Sequence, residues 1–280
     1  MKRTKLSPIK ESKRIQLEYL RELRKLANSL KKQVREKIIP MLKTSQVTEV
    51  TTDSVSSIIA QLELLRNDML NVTPFADRVS KEVVESVNAN SKNKFLVGVN
   101  AAVGVNLTRV LKEENLTDIV ALQRQKNKVL IKSIPEEFLK GVEITVQNGL
   151  AQGLRPEAIA KQLNGIKGIS SVFGKLDNRV KMIARNEIST INANINKARF
   201  QNLGIKIYQW KTAQDDRVRP DHNVMNNKYC KFEDDSVYAD SLKDAKAGKW
   251  KKRASIGGVQ LGTGIDFNCR CASIAIIEDE

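Results

Sequence analysis

From residue 15 to residue 38 the apolar positions Leu20, Leu23, Ala27, Leu30, Val34 and Ile38 recur at three- and four-residue steps. That period predicts an amphipathic helix, which Pro40 is expected to stop. Thr52-Asp53-Ser54 offers an N-cap for a second helix, with Val55, Ile58, Ile59, Leu62, Leu65 and Met69 on one face and Pro74 at its end. Val79, Val83, Val84 and Val87 continue the helical spacing, while residues 95–105 are small and apolar and fit a tightly packed helix or a strand. Ser133-Ile134-Pro135-Glu136 reads as a capping box with proline in the first turn, opening a helix through Phe138, Val142 and Val146. Pro156 starts a short helix closed by Gly165. A longer one over about residues 177–202 carries Val180, Ile183, Ala184, Ile188, Ile191, Ile195 and Ala198 on one stripe and ends at Gly204.

After Gly204 the period changes from helical to two. Residues 205–210 alternate as a strand, Asn226-Asn227 marks a turn, glycines 257, 258, 262 and 264 punctuate a loop, and 272–277 is a candidate closing strand. Eight of the thirteen aromatic residues lie between Phe200 and Phe267, which sets the C-terminal part off from an aliphatic, aromatic-poor remainder. The predicted fold is mainly α: an elongated helical N-terminal part followed by a small α+β domain. Its parts are a basic amphipathic helical arm (1–44), a helical domain (45–204) and a compact α+β C-terminal domain (205–280).

With 280 residues and 41% apolar composition the chain can bury a real core, and three cysteines exclude a disulfide scaffold and fit a reducing compartment. No run approaches the ~20 apolar residues of a membrane span, and residues 1–5 lead into charged helix without a secretory apolar region, so a soluble intracellular protein with no membrane partner is expected. The formal charge is +16, and residues 1–44 hold 14 Lys/Arg against 4 Glu. Lys2, Arg3, Lys5, Lys10, Lys13, Arg14, Arg21, Arg24, Lys25, Lys31, Lys32 and Arg35 are therefore candidates for sequence-independent contact with double-stranded DNA. A basic face docked on an acidic protein surface is the alternative. The apolar stripe of the same helix has the width of a helix-packing face, and left exposed it would favour a partner.

Candidate chemistry is sparse. Asp215-Asp216-Arg217-Val218-Arg219-Pro220-Asp221-His222 holds the one histidine, which excludes sites built on histidine pairs and leaves a charged turn as the plain reading. Cys269-Arg270-Cys271 offers two thiolates to zinc, with His222, Cys230 and Asp266 as candidates to complete a tetrahedron. Otherwise the two cysteines pack as small apolar groups on alternate faces of a strand. A lone histidine and no nucleophile–base pair leave an enzyme, whether toxin-like transferase or nuclease, unsupported.

Taken in order, several pieces resemble the phage Mu F-like minor head protein family of head morphogenesis proteins. They are the run 149–160, Ile183-Ala184-Arg185-Asn186-Glu187 followed by Asn196 and Arg199, Trp210-Lys211-Thr212, Asp216-Arg217-Val218-Arg219-Pro220-Asp221-His222, and Asn268-Cys269-Arg270-Cys271. The likeness covers roughly residues 120–280. It implies a low-copy, non-enzymatic structural protein of a tailed-phage virion, in the head interior or portal region after assembly in the host cytoplasm. Portal, major capsid or scaffolding protein and packaged DNA are its implied partners. A DNA-binding packaging or ejection accessory protein is the second reading. Many relatives look like Cys-Pro-x-Cys where this chain has Arg219-Pro220-Asp221-His222, and often carry His where it has Asp266. The implied set for one structural zinc is therefore His222, Asp266, Cys269 and Cys271.

Overall fold

A computed structural model describes residues 4–44, 52–104, 107–112, 114–165 and 171–277. Strand β1 (Thr4–Lys5) precedes eight helices: α1 (Lys13–Lys37), α2 (Ile39–Thr44), α3 (Thr52–Leu70), α4 (Thr73–Val103), α5 (Thr108–Lys112), α6 (Thr117–Ala151), α7 (Pro156–Asn164) and α8 (Val172–Asn202). Then follow β2 (Ile207–Lys211), α9 (Pro220–Asn223), β3 (Tyr229–Lys231), β4 (Val237–Tyr238), α10 (Leu242–Lys246), β5 (Lys251–Lys252), a 3-10 turn (Arg253–Ile256) and β6 (Ala272–Ile277). Long helices fill the N-terminal part and the small sheet lies at the C-terminus, so the chain is mainly α as its periodicity predicts.

The helices α1 and α3 end before Pro40 and Pro74, as expected. Those prolines also fall in the first turns of α2 and α4, where a missing N–H breaks no intrahelical bond, so each opens the next helix as well. Pro135 lies inside α6, and the expected capping box is absent. The Ser133 hydroxyl donates to the Leu130 carbonyl at 2.8 Å and accepts from Arg179 at 3.0 Å, so it caps nothing. An interior proline costs about 3 kcal/mol. Ile131, Ile134, Phe138, Leu139, Val142 and Val146, all buried on the same helix, more than offset that cost. Residues 95–103, left open by the sequence, are helical.

The chain divides into two compact units made of interleaved segments. One comprises Gln16–Glu82 and Arg124–Ala184. In it Leu23, Ala27, Leu30 and Val34 of α1 are buried, so the stripe expected to await a partner is covered within the chain. The other comprises Met1–Ile15, Val83–Gln123 and Arg185–Glu280. Its four-stranded sheet has the order β1-β6-β2-β3 with all pairs antiparallel; β2 and β6 pair from Tyr208 with Ala275 to Lys211 with Ala272. The core on this sheet joins Tyr208, Trp210, Phe232 and Tyr238 to Leu6, Phe95, Leu111 and Phe200, residues that precede Gly204. Gly204, at φ 72°, takes the left-handed conformation that ends α8, as expected.

Candidate metal centre

His222 is set by a proline turn. Arg219 is extended, Pro220 occupies the first position of α9, and the single turn that follows carries the imidazole inward to 3% exposure. The Trp210 ring on β2 meets it edge-on at 5.9 Å. The other half of the site is the loop before β6. Gly264, at φ 76°, passes so near α8 that a Cβ there would sit 3.0 Å from the Ala193 methyl. Asn268, at φ 56°, turns the chain again, in a conformation asparagine tolerates better than most residues.

Helix α8 fastens that loop. The Asn186 side-chain oxygen accepts the Asn268 N–H at 3.0 Å, Arg185 donates to the Asn268 side-chain oxygen, and the Ser189 hydroxyl donates to the Cys269 carbonyl at 3.3 Å. On the outside Arg270 clasps Asp215, the first of its charge-assisted bonds holding that carboxyl at about 2, and Arg217 adds to it. Asp216 is exposed beside them. The charged turn read from sequence thus exists, and it braces the cysteine loop.

The loop delivers both cysteines to one point. Sγ of Cys269 and Sγ of Cys271 each lie 3.5 Å from Nδ1 of His222, and the three donor atoms all fall within 4.8 Å of one another. The alternate-face expectation fails because β6 begins only at Ala272, so neither cysteine is in a strand. Zinc at ~2.3 Å from sulfur and ~2.0–2.1 Å from nitrogen, with tetrahedral angles, needs an N···S separation of about 3.5 Å. The preformed distances match it. A cavity of about 20 Å³ adjoins the three, lined among others by Val218, Arg219 and Asn268. One water needs ~10–15 Å³.

Asp266 is placed otherwise than a ligand. Its Oδ2 lies 3.0 Å from Nε2, the opposite ring nitrogen, and it also takes the Arg219 guanidinium. It therefore holds the imidazole by Nε2–H and leaves Nδ1 to face the sulfurs. Burial works to raise its pKa, and the bonds from His222, the Phe267 N–H and Arg219 outweigh that and lower it. The hydrogen bond with Cys269 leads in raising the His222 pKa, against burial. The neighbouring Cys271 thiol and then His222 push the Cys269 thiol well below its ordinary value, while the Cys269 sulfur and burial push Cys271 up. The buried Trp210 N–H has no oxygen or nitrogen partner and favours the Cys271 thiolate. Cys230 lies apart, fully buried in the aromatic core, where burial raises its thiol to about 11.

The basic candidates are dispersed. Lys2 and Arg3 lie outside the described residues, and Lys5 belongs to β1. Lys31 is buried and committed to Asp177 at 2.7 Å, while Lys25 pairs with Glu22 and Arg35 lies 5.0 Å over the Phe173 ring. Lys10, Lys13, Arg14, Arg21, Arg24 and Lys32 are exposed. Two arginines outside the basic candidates, Arg253 and the motif residue Arg199, are wholly buried. Arg253 donates to Tyr208 Oη at 3.1 Å and to the Val237 and Leu261 carbonyls and lies 5.3 Å from the Trp210 ring, so it positions the strand that backs His222. Arg199 grips Glu114. Nothing local marks Arg253, which follows Lys251-Lys252 and reads as surface. Among the described residues no helix is long and apolar enough to cross a membrane.

Over 277 residues the chain is 24% identical to an uncharacterized protein of Haemophilus influenzae, covering 98% of this chain and 56% of that protein. It thus spans about half the length of that relative. No solved structure matches. The family model for Phage Mu protein F like protein matches residues 140–274, the stretch that contains α7, α8, His222 and the cysteine loop. Residues 140–274 of this chain are thus similar to the Phage Mu protein F like family.

Proposed function

We propose that the protein is a structural minor head protein of a tailed phage, acting in head morphogenesis and residing in the virion head interior or portal region. The family suggests head morphogenesis. The observation that carries the structural reading is that the motif residues hold one another: α8 holds the Asn268 turn, and that turn holds the cysteines against His222. Asp266 orients the imidazole through one ring nitrogen, and two sulfurs rather than a single nucleophile converge on the other, which is the donor set of a structural metal site. That geometry favours a brace over a catalyst.

His222, Cys269 and Cys271 would hold one zinc ion, with a water in the adjoining cavity and Asp266 orienting the histidine. The ion would supply a cross-link between the α9 turn and the loop before β6. Portal, capsid or scaffolding protein would be the assembly partner. Double-stranded DNA would meet the exposed cations Arg21, Arg24 and Lys32 of α1 without sequence preference. Co-expression with the portal protein of the same genome tests the assembly role: the tagged full chain is expected to recover portal, and failure to do so over a range of salt contradicts it.

A further inference from the structure

The unit containing the sheet has a second concavity, of about 580 Å³, between the segment Pro8–Glu11, the Asn192–Asn196 face of α8 and the start of β6. That is ligand-site size. One wall is a stretch of open sheet edge. β1 pairs with β6 only at Ile277 and Ile276, and Leu6 N–H then donates to the Ala275 carbonyl at 3.2 Å. Pro8 has no N–H, and Lys10 N–H turns back to the Pro8 carbonyl at 3.1 Å, so the chain leaves the edge there. On the other side β2 covers β6 as far as Ala272. Backbone groups alternate sides along an antiparallel strand. Since the Ala275 carbonyl points to the β1 side, Ser273 presents its N–H and C=O to the cavity.

The flank opposite is fixed before anything binds. Asn192 donates to the Ile9 carbonyl at 2.8 Å and Lys94 to the Lys10 carbonyl at 2.8 Å. The lining charge is mostly positive. Lys197 and Arg270 are paired with Asp235 and Asp215, whereas Lys10 and Lys211 have no counter-ion among the described residues, and Glu11 is the one carboxylate in the lining.

We infer that this groove takes an extended acidic peptide segment of a partner protein. The segment continues the line of β1 antiparallel to β6, exchanges backbone hydrogen bonds with Ser273, and sets its carboxylates against Lys10 and Lys211. Strand addition draws affinity from main-chain bonds and specificity from alternate side chains. The inference goes beyond the head-protein reading and does not depend on it.

The full chain is titrated by fluorescence anisotropy with a labelled hexapeptide alternating valine and glutamate, capped at both ends. The same peptide with lysine for glutamate, and citrate as competitor, are the controls. The glutamate peptide should bind at least tenfold tighter than the lysine peptide. Lys10→Glu with Lys211→Glu should weaken it at least tenfold while leaving the circular dichroism unchanged. Ser273→Pro removes the open-edge N–H without touching the β2 ladder, and should weaken it as much. Equal binding of both peptides, indifference to the lysine pair, or displacement by citrate at the peptide's own concentration overturns the inference, the last by showing a small-anion site.

Discussion

Replacing Arg199 by methionine should be among the most damaging single changes outside the cysteine centre. The side chain is fully buried. Its Nε lies 2.8 Å and its Nη2 3.1 Å from the two Glu114 oxygens, Nη2 donates to the Asn88 side-chain oxygen at 2.7 Å, and Nη1 donates to Ser91. The Glu114 side chain is itself only 9% exposed, so removing the guanidinium strands a carboxylate in a poor solvent. Such a loss costs about 3–5 kcal/mol. Lys92, 3.4 Å from Glu114 and about one-third exposed, takes over part of the compensation and places the expectation near the low end, about 3 kcal/mol. At ~2–4 °C per kcal/mol that is a fall in Tm of about 6–12 °C. Urea unfolding of Arg199→Met, Glu114→Gln and the double variant measures it. The double variant removes both charges and should recover at least half of the loss. A single-variant cost under ~1 kcal/mol, or a double variant no better than the single, refutes the reasoning.

Cys269→Ala and Cys271→Ala should each lower Tm and abolish about one equivalent of zinc found in protein prepared without chelator; equal stability in both variants and wild type rules out a bracing role. Cys230 gives an alkaline prediction. Its folded thiol titrates at about 11 against the ordinary 9, so the folded state keeps a proton the unfolded chain loses. Stability should therefore be nearly whole below pH 9 and fall by about 2 kcal/mol on going to pH 11. Cys230→Ala should flatten that fall, and an unchanged slope contradicts it. For DNA, deleting residues 1–44 would strip buried Leu23, Leu30 and Val34 from the core, so charge reversal of Arg21, Arg24 and Lys32 is the cleaner test. If all three meet phosphates, the slope of log affinity against log salt should shrink by about 3, read by filter binding; no change sends these charges to a protein surface.

Where a signal was local and repeated, the sequence sufficed. The apolar run 272–277 is β6 to the residue, and the Pro156 and Gly165 punctuation frames α7. Prolines were only half legible, because a ring that follows the end of one helix can also open the next, and Pro40 and Pro74 do both. At Pro135 a good cap signal lost to a longer stripe of buried side chains, which a four-residue window does not weigh. Strand β1 is two residues long and shows no period. At the site, the histidine and the cysteine pair were legible as residue types, but their convergence needed the positive φ of Asn268 and the anchoring by α8. Which imidazole nitrogen Asp266 takes, and the burial of Lys31, Arg199 and Arg253, are decided by partners far along the chain.

The head-protein assignment is tested most directly by quantitative mass spectrometry of purified virions against labelled peptides of this chain, portal and major capsid protein. A structural minor head protein should be present at a fixed ratio to portal and far below the major capsid protein. Particles of full infectivity that lack the chain would contradict it.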